Sequence, residues 1–182
     1  MEFDWYELCP EDNNSLEQGD LILECPIVIP PGPIEEGDSI EIDVKEINSI
    51  VLTQSCDLAN DKIEIVLVCQ YYPLLYWLDS LPAEQQGKKA RKKAIDDLRK
   101  GHYAGFHVIN KIGPESLLED YQVVDFRNVY GVNIDLLKKI VLNKGERVRL
   151  LPPYREHLSQ AFARYFMRVG LPQDLRIDDD DF

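Results

Sequence analysis

The sequence predicts an α+β fold: a strongly bent antiparallel sheet or small β-barrel, with a helical insertion and a C-terminal helix. Three observations predict it. Short apolar runs separated by turn residues crowd the stretch 19–70. The stretch 71–101 becomes aromatic and then lysine-rich, and after Pro152-Pro153 apolar residues recur at helical spacing. With 182 residues and 45% hydrophobic content the chain can bury one core, so a single domain over 1–182 is expected.

Residues 1–18 are polar and without a clear period, which reads as an N-terminal arm or edge element. Barrel strands are expected over 19–70. "GDLILECPIVI" reads as a strand interrupted at Cys25-Pro26, and "PPGPIEEGD" as a proline- and glycine-rich loop. "SIEIDVKEI" alternates Ile40, Ile42 and Val44 with charged neighbours, the period of a strand with one wet face. "SIVLTQ" and "KIEIVLVCQ" read as two further strands joined by the turn "SCDLAND", making four strands in this region. Over 71–101 a helical insertion is expected, opening on "YYPLLYWLDSLP" and continuing as a solvated helix in "AEQQGKKARKKAIDDLRKG". The stretch 102–151 returns to strands ("YAGFHVINKI", "YQVVDFRNVYGV", "ERVRLL") and holds one short helix, "NIDLLKKIVLN", ending near Gly145. The C-terminal helix spans 152–171: prolines precede it, Leu158, Ala161, Phe162, Tyr165, Phe166 and Val169 form its stripe, and Gly170 and Pro172 stop it. Residues 172–182 are an acidic tail.

Charge is divided along the chain. Residues 1–87 hold two lysines against 19 acidic residues, a net of −17, whereas 88–182 hold 18 basic and 14 acidic residues, a net of +4. The whole chain stands at −13, which argues against indiscriminate binding to phosphate polymers. The opposite fields either neutralise each other within the fold or permit self-association. No stretch has the roughly 20 apolar residues of a membrane helix, and the acidic "MEFDWYELCPEDNN" does not read as a signal peptide. A cytoplasmic protein with reduced thiols and no membrane partner is the expectation.

Cys56 poses the first chemical question. A nucleophilic thiol needs a nearby cation, a histidine or a helix N-terminus, whereas Asp57 adjoins it and the segment after it reads as turn and strand. A buried structural cysteine at a strand end is the preferred reading, with a thiol-dependent enzyme as an alternative. The cysteine spacings include no paired ligands and the turn lacks calcium-loop spacing, so no metal and no cofactor are expected. Arg147 and Arg149 fall on one side of a strand. Arg164 and Arg168 share a helix face with His157 and Ala161, and Arg155 lies between the two pairs. These five arginines are the candidate phosphate or nucleic-acid contacts of a C-terminal basic face; pairing with the acidic half is the competing reading. Tyr71, Tyr72, Tyr76 and Trp77 are candidate protein-partner contacts. "RIDDDDF" resembles the acidic tails through which single-stranded-DNA-binding proteins recruit partners, which would make Phe182 a partner contact, although it lacks the apolar and proline residues that precede the aromatic there.

"QGDLIL", the loop rich in proline and glycine and "SIVLTQ" together resemble the opening of the PemK/MazF toxin family, a small barrel that cleaves RNA. Gly19, Asp20 and Thr53 match its landmarks, and "VVDFRNVYGVNIDLLKKI" resembles its later strand-to-helix segment. The chain departs from that family in its loop arginine, since no arginine precedes Arg91. The resemblance implies a barrel fold and, as an alternative function, an RNA- or nucleotide-processing enzyme using Thr53, Cys56 and Asp57. The crowding of carboxylates around Thr53 opposes a polyanionic substrate. The leading expectation is therefore a non-catalytic interaction or adaptor module, associated with nucleic-acid machinery or a toxin or defence system.

Overall fold

The computed structural model describes residues 4–33, 39, 41–59, 63–111 and 120–167. Seven strands make one sheet: β1 (Tyr6–Cys9), β2 (Asp20–Ile29), β3 (Asp43–Val51), β4 (Ile65–Pro73), β5 (Phe106–Ile109), β6 (Gln122–Asn133) and β7 (Arg147–Leu150). Their order is β1-β7-β2-β3-β4-β6-β5, and every neighbouring pair is antiparallel. The helices are α1 (Ser55–Ala59), α2 (Leu74–Asp79), α3 (Lys88–Arg99), α4 (Ile134–Lys144) and α5 (Tyr154–Phe166). The fold is α+β, a bent antiparallel sheet with helices. The sheet curls until the Tyr6 hydroxyl, on one edge strand, donates to the Asn110 carbonyl just past the other, at 2.5 Å. β1 and β5 do not pair, so the structure takes the bent-sheet form of the expectation and not the closed barrel.

Both faces of the sheet are covered, which is why parts of its strands read as continuous apolar runs. α4 seats Leu137 and Val141 against Ile22, Val66 and Val68 on one side. On the other, Leu158 of α5 is fully buried against Ile50, Tyr71, Phe126 and Leu150. β6 serves two layers with consecutive residues: Val123 packs under Trp77 and Leu98 of α2 and α3, while Val124 joins the α5 layer. α4 starts where the Asn133 side chain accepts from the backbone N–H groups of Asp135 and Leu136, and ends at Gly145 with φ 82°.

Several expectations are corrected. Of the two readings of residues 1–18, the edge element holds and the arm does not: they contribute β1, at one edge of the sheet and paired with β7. Cys25-Pro26 does not end β2, although its register with β3 shifts between Ile22 and Cys25, where Glu24 takes φ 48°; Pro26 lies where the strand pairs with β3 alone, a position that tolerates a missing donor. The stretches 39–47 and 49–54 supply one strand, β3, so three strands and not four cover 19–70. The pattern changes within it because residues 43–46 are exposed while Ser49, Ile50 and Val51 are buried. The "SCDLAND" turn contains the single helical turn α1. Ile40, Val169, Gly170 and Pro172 lie outside the described residues, as do Arg168, Phe182 and the acidic tail.

Candidate functional site

The C-terminal basic face is largely internal. Arg147 and Arg149 are buried, 4% and 5% exposed, and converge on Asp20, which is wholly buried. Arg147 Nε donates to Asp20 Oδ2 at 3.0 Å and Arg149 Nε to Oδ1 at 2.5 Å. Arg149 also reaches Glu17 Oε1 at 2.6 Å and the Ser15 carbonyl at 2.8 Å, and Arg147 donates to the Asn13 and Ser15 carbonyls. Arg155 donates to Glu17 Oε2 at 3.1 Å. Burial works to deprotonate Arg149, but its hydrogen bonds to Asp20 outweigh that and raise its pKa. The basic-face expectation is thus overturned for the buried Arg147 and Arg149, and Arg155 is part-buried and paired: Glu17 and Asp20, at and just before the start of β2, already hold them. Arg164 remains exposed, its Nε turned to the Gln160 carbonyl of its own helix.

The catalytic candidates have local partners. Thr53 Oγ1 accepts the backbone N–H of Leu67 at 2.8 Å, holding the end of β3 to β4. Cys56 is exposed and not the buried cysteine expected, with its Sγ 3.8 Å from Asp57 Oδ1. It lies in α1, which begins as the chain turns away from the sheet, so the thiol meets solvent. Among the described residues the hydrogen bonds of Arg147, Arg149 and Arg155 go to Glu7, Asn13, Ser15, Glu17 and Asp20. Gly19 and Asp20, which carry the resemblance to the barrel toxins, have structural work here. Gly19 adopts φ 89°, and a Cβ there would sit 2.9 Å from that of Leu150.

The aromatic patch divides by burial. Tyr71 and Trp77 are 2% and 1% exposed and pack in the core, which removes them from any contact surface. Tyr72 is half-buried, and its hydroxyl donates to Asp125 Oδ2 at 3.1 Å. Asp125 also accepts from Arg127 and Asn128 where β6 bulges against β4. Burial pushes the Asp125 carboxyl up, but the Arg127 hydrogen bonds outweigh it and hold it below its ordinary value. Tyr76 is 65% exposed.

A cavity of about 470 Å³ lies along the outer edge of β5, between the end of α3 and the face of α5. Arg99 and Lys100 reach it from α3, His157 and Arg164 from α5, and His107 from β5. Trp5, stacked on Tyr154 at 3.5 Å between ring centroids, walls the far side. Among the described residues no aspartate or glutamate lines the cavity, and Arg99, Lys100 and Arg164 make no ion pair. Burial, with smaller contributions from His157 and Arg164, pushes the His107 pKa down to about 4. An uncharged His107 therefore stands among three cations. A second lobe of about 450 Å³ shares Trp5, Leu98, Arg99 and Val108 with the first and is lined by Leu74, Ile95, Ile109 and Tyr121. Together the lobes form a groove with a cationic end near Phe106 and an apolar end near Asn110. Among the described residues no group of three or more His, Cys, Asp or Glu side chains is placed to hold a metal ion.

The chain matches no protein-family model and no curated protein. Of the groove residues, His157, Ala161 and Arg164 were legible as one helix face; Arg99 and Lys100 were hidden in a lysine run that reads as solvated. Trp5 gave no signal, since it approaches β5 only through the curl of the sheet.

Proposed function

We propose that this chain is a non-catalytic interaction module that holds an acidic protein partner in the groove along β5. One observation carries the reading: in a chain of net charge −13, three cations that have no carboxylate partner among the described residues line a single cavity, while the arginines of the Asp20 cluster are consumed internally. Long-range repulsion from the acidic surface disfavours nucleic acid, whereas carboxylates on a protein can be matched locally against a few guanidinium and ammonium groups. The apolar second lobe supports a polypeptide over a small inorganic anion. Buried thiols at Cys9, Cys25 and Cys69, without disulfides, suit work in the cytoplasm, and no helix of the described residues is long and apolar enough to cross a membrane.

Titration of the purified chain with polyglutamate and, separately, with mixed RNA tests the reading. Polyglutamate binding is expected, and it should be lost in the Arg99→Glu/Lys100→Glu/Arg164→Glu variant. RNA that binds more tightly than polyglutamate, or that is cut by the chain but not by Thr53→Ala or Cys56→Ala, would replace the module with the RNA-processing alternative.

A further inference from the structure

The cationic groove follows the edge of β5 whose hydrogen-bonding groups have no strand partner among the described residues. The Phe126 N–H donates to the Gly105 carbonyl, which puts 105 opposite 126 in the hydrogen-bonding phase of the ladder, and the register then assigns the same phase to 107 with 124 and 109 with 122. The backbone groups of Phe106 and Val108 therefore point away from β6. The N–H of Phe106 is taken by the Tyr103 carbonyl. Val108, which lines both lobes, turns its N–H and carbonyl toward the groove.

Strand count adds a second constraint. Seven strands joined by six antiparallel pairings leave β1 and β5 running in the same direction, so these edges cannot meet as an antiparallel pair. Yet they curl to within reach of the Tyr6–Asn110 hydrogen bond, and Trp5, at the start of β1, lines the groove. One further strand, antiparallel to both, matches the direction of each edge.

We infer that an extended segment of a partner protein, apolar in its first half and acidic in its second, adds to the sheet along the open edge of β5. Running antiparallel to β5, it places its first residues beside Ile109 and Asn110 in the apolar lobe and its last beside Phe106 and His107. Successive side chains of an added strand alternate between faces. Its carboxylates then meet Arg99 and Lys100 on the α3 side and Arg164 on the α5 side, the complementarity that selects an acidic segment. Main-chain bonds supply affinity and the flanking cations supply selectivity, as in strand addition generally.

This inference rests on the proposed acidic partner, and the experiment separates the two. The probe is a blocked octapeptide with alternating Val and Leu followed by alternating Glu and Asp, titrated into the full chain at low salt and read by calorimetry and by amide exchange. Two further peptides of the same sequence carry N-methyl groups at alternate residues, one in each phase. Saturation with the parent peptide should slow Val108 amide exchange at least about tenfold, and at least one methylated peptide should bind at least about tenfold more weakly. Val108→Pro removes only a donor that β6 does not use and should weaken the parent peptide comparably. Equal binding by all three peptides, or unchanged Val108 exchange, while Arg99→Glu/Lys100→Glu/Arg164→Glu abolishes binding, overturns strand addition and leaves the acidic-partner reading standing. Failure of every peptide and of polyglutamate overturns both. The methylated peptides test the unaltered protein, so the outcome does not depend on the folding of Val108→Pro.

Discussion

At Asp20 one carboxylate holds two guanidinium groups inside the protein. Asp20→Asn keeps the shape but leaves Arg147 and Arg149 buried with less opposite charge around them, and breaking such a pair costs about 3–5 kcal/mol. An unfolding free energy lowered by that amount in urea denaturation is expected, whereas Cys56→Ala, on an exposed turn, should lie within about 0.5 kcal/mol of the parent. The alternation of Arg147 and Arg149 was legible in the sequence. Their partner was not, because Asp20 is 127 residues from Arg147 and no local pattern links them. His107 gives a pH dependence of definite sign. Its folded pKa of about 4 lies below the ordinary 6.5, so the folded state binds the fewer protons between those values. Its contribution is complete above 6.5 and is lost as pH falls toward 4, by about 2 kcal/mol after allowance for solvent screening. His107→Phe, retaining a ring against Phe126, should flatten that part of the stability–pH curve when urea midpoints are compared across the window. The loss of Asp125 pairing falls below 3.8 and leaves the window clear.

The elements differ in how openly the chain announces them. α5 was legible because its stripe has helical period and its principal residue, Leu158, is fully buried. Leu158→Ala should cost about 2–5 kcal/mol in urea denaturation, since a cavity opens where α5 meets four strands. α1 was not legible: five residues are too few to show a period, and what makes them helical is the Gln54 carbonyl accepting from Asp57 and Leu58. β3 was divided in two because its exposed first half alternates while its second half is buried on both faces, and a change of pattern resembles a break. The groove is harder still to read in advance. It is made where α3 ends, β5 presents its edge and the N-terminal strand curls round, and each contributing segment alone looks ordinary. The lysines of α3 were rightly read as solvated along most of the helix. Only position at its C-terminal end gives Arg99 and Lys100 a cavity to face.

For the whole molecule, the division of charge between the two halves of the sequence becomes a division between inside and outside. Glu7, Glu17 and Asp20 from the early half meet Arg147, Arg149 and Arg155 from the late half within one chain, which weakens the case for head-to-tail association between chains. Outside, among the described residues, the solvated lysines of α3 and the cationic groove stand on a chain of net charge −13. Salt should distinguish these two populations of charge. Screening acts on exposed charges, and the Debye length shrinks from about 10 Å at 0.1 M to about 3 Å at 1 M. Over that range polyglutamate should bind at least about tenfold more weakly, because Arg99, Lys100 and Arg164 act at the rim of an open groove. Asp20, Arg147 and Arg149 are buried, so the urea midpoint should gain or lose little in the same salt series, and the penalty of Asp20→Asn should persist at both ends of it. The charge-reversed variant, at a net of −19 against −13 for the parent, should show neither polyglutamate binding nor a salt-dependent signal while keeping the parent's urea midpoint within about 1 kcal/mol. Binding that survives high salt undiminished would mean that the apolar lobe, and not the cations, holds the partner.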